Sequence, residues 1–187
     1  VSSGKSEVSE RYRKVAGTFT ERVHAVPAGG WDSPAPCEGW VARDVVGHLV
    51  EWVPGFFGRW DVDLSPAAPP EDDPVLAWTS VSDGIQAALD DPQTAAREAD
   101  SPMGRRSLEQ MVDMIVINDV LIHTWDLARA TGQDETLDAV EVERMSSGFF
   151  DMPDEVLRGS GQFGPRVEVA DDADLQTRLI AFSGRRP

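Results

Sequence analysis

The chain has 187 residues, a hydrophobic fraction of 41% and a formal net charge of −16, which fits one domain with a packed core. At a pI near 4.4 it lacks the positive surface that nucleic acid needs, so nucleic acid is excluded as a partner and an anionic membrane surface is disfavoured. No apolar run approaches the ~20 residues of a membrane span.

The chain carries a single cysteine, Cys37, so no intramolecular disulfide can form. The opening Val1–Glu7 lacks the apolar core of a signal peptide. A cytoplasmic location is therefore expected.

In chain order, Val8, Tyr12, Val15, Phe19, Val23 and Val26 recur at steps of three and four. They predict a helix from about Ser6 to Val26, ended by Pro27-Ala28-Gly29-Gly30. His24, in its last turn, reads as a solvated residue favoured by the negative helix end. Trp31–Trp40 is a loop punctuated by Pro and Gly. Cys37 within it reads as a small packing residue rather than a nucleophile. A second helix is expected from about Ala42 to Trp60, kinked at Pro54, with Val45, Val46, Leu49, Trp52, Val53, Phe56 and Phe57 on its apolar face.

The acidic, Pro-rich Asp61–Asp73 reads as a surface loop. Pro74 opens a third helix that runs to about Leu89 and stops at Asp90-Asp91-Pro92. Thr94–Arg106 has no helical period and is read as irregular or as holding a short strand. Ser107 and Gln110 form a capping-box pattern that starts the longest helix, which runs to Thr131 and ends at Gly132. Beyond it come a helix over about Leu137–Asp151, a flexible-looking loop at Gly159–Pro165, a candidate strand within Phe163–Val169 and a last short helix over about Ala173–Phe182. The fold class is thus mainly all-α, a four-helix bundle with additional short helices and a short strand near the C-terminus. Residues 1–187 form one domain in this reading, with a core bundle over 1–133 and a helical extension over 134–187.

The long helix carries the chemistry. Asp119 and His123 stand one turn apart on one face, among Leu108, Val112, Ile115, Val116, Ile122 and Leu127. Such a stripe points into a core, where an unpaired carboxylate or imidazole is costly. A metal ion would satisfy both. His48, one turn before Trp52 in the second helix, is the candidate third ligand, because bundle sites take ligands from facing helices.

Two stretches support this. Pro36-Cys37-Glu38-Gly39-Trp40-Val41-Ala42-Arg43-Asp44-Val45-Val46-Gly47-His48-Leu49 and His123-Thr124-Trp125-Asp126-Leu127-Ala128-Arg129-Ala130-Thr131-Gly132 resemble the two hallmarks of actinobacterial DinB/YfiT-like metal-binding proteins. The tail Phe163–Val169 followed by Ser183-Gly184-Arg185-Arg186-Pro187 resembles the end of one subgroup. The resemblance implies a four-helix bundle with a metal between helices, similar to the N-terminal domain of mycothiol-dependent maleylpyruvate isomerase. It implies metal ligands at His48, Asp119 and His123, with aspartate where that isomerase has glutamate, one methylene longer.

Two imidazoles and one carboxylate leave coordination positions open, as catalytic zinc sites do. The same set accepts nickel or iron. The implied function is a thiol-dependent transferase or isomerase, in which mycothiol, as a metal-bound thiolate, attacks an electrophilic substrate. The alternatives are a metal-dependent hydrolase and a non-catalytic ligand-binding bundle with a degenerate site. Arg43, Glu51 and Asp126 are candidates for supporting the ligands. Asp126 either orients an imidazole or neutralises a buried arginine such as Arg43 or Arg129. Trp40, Trp52 and Trp125 are candidates for a pocket wall, against packing in the core, where large aromatics on helix faces more often sit. Related bundles often dimerise, so the resemblance allows a homodimer, although no stripe demands one.

Overall fold

Local capping decides where the long helices begin. Ser6 Oγ accepts the Ser9 N–H (3.1 Å), Asp73 accepts the Leu76 N–H (2.9 Å) just ahead of Pro74, and Asp44 accepts the Val41 N–H (2.8 Å). Ser107 and Gln110 close a reciprocal capping box, satisfying donors that the helix itself leaves open. The computed structural model describes residues 5–101, 103–159 and 163–187. Val1–Gly4, Pro102 and the middle of the Gly159–Pro165 loop lie outside them.

The elements are α1 (Glu7–His24), α2 (Ala42–Phe57), α3 (Pro74–Asp90), α4 (Pro92–Ala95), β1 (Glu98–Ser101), β2 (Gly104–Ser107), α5 (Leu108–Met111), α6 (Ile117–Thr131), α7 (Ala139–Phe149), α8 (Asp154–Arg158) and α9 (Leu175–Phe182). Val112–Val116 is π-helical and joins α5 to α6 in one run. Pro54 lies inside α2 without ending it, and a 3₁₀ turn at Gly58–Trp60 follows.

Four helices form the bundle. α1 packs on α3 and α6, and α2 packs on the same two, so the order around the bundle is α1, α3, α2, α6. Tyr12, Phe19, Phe57 and Trp78 are fully buried between them. Phe19 meets Trp78 edge to face at 4.7 Å. The buried indole N–H of Trp78 is satisfied by Thr20 Oγ1 at 2.8 Å, as a buried tryptophan requires.

β1 and β2 form an antiparallel pair, Glu98 opposite Ser107 and Ser101 opposite Gly104. The Trp60 indole N–H donates to Arg106 C=O (3.0 Å), tying this hairpin to the end of α2. Residues 163–169 are non-repetitive backbone, with the Val167 N–H bonded to Ala181 C=O (2.9 Å). The short α8 carries no periodic signal long enough to read from sequence.

The extension is fastened to the bundle by a buried ion pair. Arg11 donates from Nε to both Glu141 oxygens (3.1 Å each) and from Nη2 to Oε2 (2.5 Å). It also pairs with Asp113 in the π-helical segment. α9 packs on α7. Among the described residues, no helix is long and apolar enough to cross a membrane.

Candidate metal centre

His48 projects from the middle of α2, and Asp119 and His123 from successive turns of α6. Because α2 and α6 pack on each other, the three side chains converge. His48 Nε2 lies 3.4 Å from Asp119 Oδ2, and His123 Nε2 lies 3.5 Å from Asp119 Oδ1. One donor atom from each residue falls within 4.8 Å of the others. Two donors bound tetrahedrally to one zinc at ~2.0–2.1 Å stand about 3.3–3.4 Å apart. The two imidazole–carboxylate distances, one to each Asp119 oxygen, are close to that spacing, and the shorter aspartate reaches both imidazoles.

The wall beside the donors is aromatic. The Trp40 ring lies 5.3 Å from His48 and 6.0 Å from His123, nearly parallel to the latter. The Trp52 ring lies 6.2 Å from His48, and its Nε1–H donates to Asp119 Oδ2 at 3.0 Å. The cluster is open on one side: the His48 and Asp119 side chains are 32% and 27% exposed, that of His123 only 5%. Burial alone would raise the Asp119 carboxyl, but His123, His48 and the Trp52 N–H outweigh it and hold the group below the usual range.

Behind His123 stands Asp126, completely buried. Its Oδ2 lies 2.9 Å from His123 Nδ1. It is also gripped by Arg185 from the C-terminal tail, Nη2 to Oδ2 at 2.8 Å and Nε to Oδ1 at 3.1 Å. Burial works against the carboxylate, but His123 and Arg185 more than offset it and bring Asp126 down to about 2. An ionised carboxylate only accepts hydrogen bonds. A His123 that ligates an ion through Nε2 would therefore carry its remaining proton on Nδ1, facing Asp126, with Nε2 on the side of Asp119 and His48.

Cys37 completes this buried side. Its thiol donates to Asp126 Oδ2 (3.7 Å), and Arg185 Nη2 donates to Sγ (3.5 Å). Burial and Asp126 push the thiol up to about 12, against the opposing pull of Arg185. Partly buried and with its thiol pushed up rather than down, Cys37 has the surroundings of a packing group rather than of an activated nucleophile. Cys37, His123 and Asp126 also lie at ligand spacing, but the Arg185 guanidinium already supplies the cation there.

Of the other candidates, Trp40 and Trp52 flank the donors and Asp126 both orients an imidazole and neutralises an arginine. That arginine is Arg185, not Arg43 or Arg129. Arg43 turns to Asp32 (3.3 Å) and the Glu71 carbonyl. Arg129 pairs with Glu135 (2.6 and 2.7 Å). Glu51 is exposed. Trp125 is buried in the core, with the Arg129 guanidinium 4.5 Å above its ring, because its position in α6 points it away from His123. Sequence reasoning missed Arg185 as a partner of the cluster. The only signal was its place in the tail Ser183–Pro187.

A bundle with two imidazoles and a carboxylate converging from facing helices has the architecture of the DinB-like proteins. The chain belongs to the mycothiol maleylpyruvate isomerase N-terminal domain family, whose model matches residues 12–128. Two uncharacterized proteins of Mycobacterium tuberculosis, MT0763 of strain CDC 1551 and Rv0738 of strain H37Rv, are each 29% identical over 194 residues, covering 93% of this chain and 95% of theirs. No solved structure matches the chain. The family match includes His48, Asp119, His123 and Asp126 and ends before Arg185.

Proposed function

We propose that this chain binds one divalent metal ion through His48, Asp119 and His123 and acts as a thiol-dependent transferase or isomerase in the cytoplasm, with mycothiol as the thiol. The supporting observation is the convergence of the three donors at 3.4 and 3.5 Å on the open side of the bundle, in a chain of this family. Zinc suits two nitrogens and one carboxylate oxygen, and nickel or iron suits them too. A bound ion would supply the positive charge that favours the thiolate form of an incoming thiol.

The chain's own residues do the rest. Asp119 offsets the charge gathered between the two imidazoles, and its orientation is fixed by the Trp52 N–H. Trp40 and Trp52 give an electrophile flat apolar surfaces and keep water from one side of the donors. Cys37 is held as a thiol and turned toward Asp126, so the nucleophile comes from outside.

The test is turnover of an activated electrophile by metal-loaded protein with and without a small thiol, beside His48→Ala. Thiol-dependent turnover lost in the variant is the expected result. Equal hydrolysis without thiol assigns the site to a metal-dependent hydrolase. Metal binding with no turnover of any electrophile assigns it to a ligand-binding bundle.

A further inference from the structure

We propose that Arg185 is a positioning residue for the metal centre: the C-terminal tail reaches back across the bundle to hold Asp126, and Asp126 holds His123 in the tautomer and orientation that ligation needs. This rests on the metal-binding reading above and extends the site beyond the residues of the family match, which stop at 128.

The geometry is a chain of three contacts. Arg185 meets both oxygens of Asp126 (2.8 and 3.1 Å), a forked grip that fixes the carboxylate plane. Asp126 then meets His123 Nδ1 at 2.9 Å, leaving Nε2 toward Asp119. Carboxylates that accept the second N–H of a ligating histidine fix its ring and raise its basicity. Here the carboxylate is wholly buried and the arginine side chain is only 10% exposed. Without the guanidinium, the side-chain partners of Asp126 among the described residues are Cys37 and His123. Arg185 Nη2 also donates to Cys37 Sγ (3.5 Å), so one side chain joins the loop that carries Trp40 to the helix that carries His123.

The tail is built to deliver this residue. Gly184 has φ +92, a conformation that L side chains rarely adopt, and a Cβ there would stand 2.8 Å from Gly164 Cα. Glycine at 184 lets the tail pass against Gly164. The preceding helix α9 is anchored by buried Leu179, Ile180 and Phe182. The Arg185 N–H bonds to Ile180 C=O (3.2 Å), which turns the chain directly after the helix. The extension is in this view a part of the site.

The experiment compares wild type, Arg185→Ala, Arg185→Lys, Asp126→Asn and the Arg185→Ala/Asp126→Asn double variant. Zinc affinity is read by competition with a chromophoric chelator, and the imidazole tautomer of His123 by nitrogen-15 NMR of metal-free protein at pH 8. Arg185→Ala is expected to bind zinc about 10–100-fold more weakly and to lose the pure Nδ1–H tautomer while retaining helical circular dichroism. Arg185→Lys should fall between, because an ammonium replaces the forked grip by a point charge. The double variant should be no weaker than Asp126→Asn, since both changes break one chain of contacts.

A folded Arg185→Ala with wild-type zinc affinity and an unchanged tautomer overturns the proposal. If Arg185→Ala does not fold, wild-type values in Arg185→Lys overturn it equally. A wild type that binds no zinc, nickel or iron sinks the metal-binding reading, and the tautomer of metal-free protein then still decides whether Arg185 positions His123.

Discussion

The Arg11–Glu141 pair should be the main fastening between the bundle and α7. Both side chains are nearly dry, 9% and 4% exposed, and three hydrogen bonds join them. Asp113, the third member, is 39% exposed and can return to water. Replacing Arg11 by Met leaves Glu141 buried without its partner, a loss of about 3–5 kcal/mol when one member of such a pair is removed. With a urea slope of ~1.5–3 kcal/mol per molar, a loss of about 3 kcal/mol moves the unfolding midpoint down by about 1–2 M. Arg11→Met/Glu141→Leu should recover most of this, because apolar residues of similar volume often replace a buried pair without loss. The assay is urea unfolding followed by circular dichroism and tryptophan fluorescence. One coincident transition is expected, as for a single cooperative unit. A single Arg11→Met that costs under about 1 kcal/mol, or a double variant as unstable as the sum of the singles, would refute the account of how α7 is held.

Three further outcomes are expected. Trp52→Phe keeps the aromatic wall but removes the N–H on Asp119, and should lower metal affinity about tenfold; unchanged affinity in a chelator competition counts against an orienting role. Cys37 should react with iodoacetamide far more slowly than a free thiol at pH 8 and at the ordinary rate in urea, because folding pushes it up to about 12; rapid alkylation of folded protein contradicts this. At Asp90, burial opposes ionisation, but Ser9, Lys5, Arg13 and Gln86 hold the carboxyl well below its ordinary value. A depressed carboxyl stabilises the fold above its unfolded value and loses this as pH falls through the folded value. The stability gap between wild type and Asp90→Asn should therefore be level above pH ~5 and narrow steadily below pH ~4; a gap that widens in acid contradicts it.

The long helices were legible because their apolar spacing and caps are local. Val8, Tyr12, Val15, Phe19 and Val23 predict α1 within two residues of its ends, and Ser107 with Gln110 marks the start of the long run. The π-helical Val112–Val116 was not read, although a hint lay in the sequence. Leu108, Val112, Val116 and Val120 repeat every fourth residue and are all fully buried. In a 3.6-residue helix such a row drifts around the axis, and a wider turn keeps it on one line.

The convergence of His48, Asp119 and His123 was legible in part: spacing puts Asp119 and His123 on one face of the long helix, and His48 follows from that pair and from the resemblance. Asp126 was legible only as a choice between two roles. The spacing offers Arg43 or Arg129, arginines on helices, as its partner, whereas the partner is Arg185 in the tail, 59 residues on. Periodicity carries no information about where a non-helical tail returns to the bundle. Residue type leaves Trp125 between pocket wall and core, and its place two positions along α6 from His123 turns it into the core.

The most direct test of the central claim is elemental analysis of protein purified without an affinity tag or chelator, beside His123→Ala. The account predicts about one equivalent of zinc, nickel or iron in the wild type, lost in a variant that keeps its helical content. No metal after each ion is added back, or equal metal in both proteins, would contradict it.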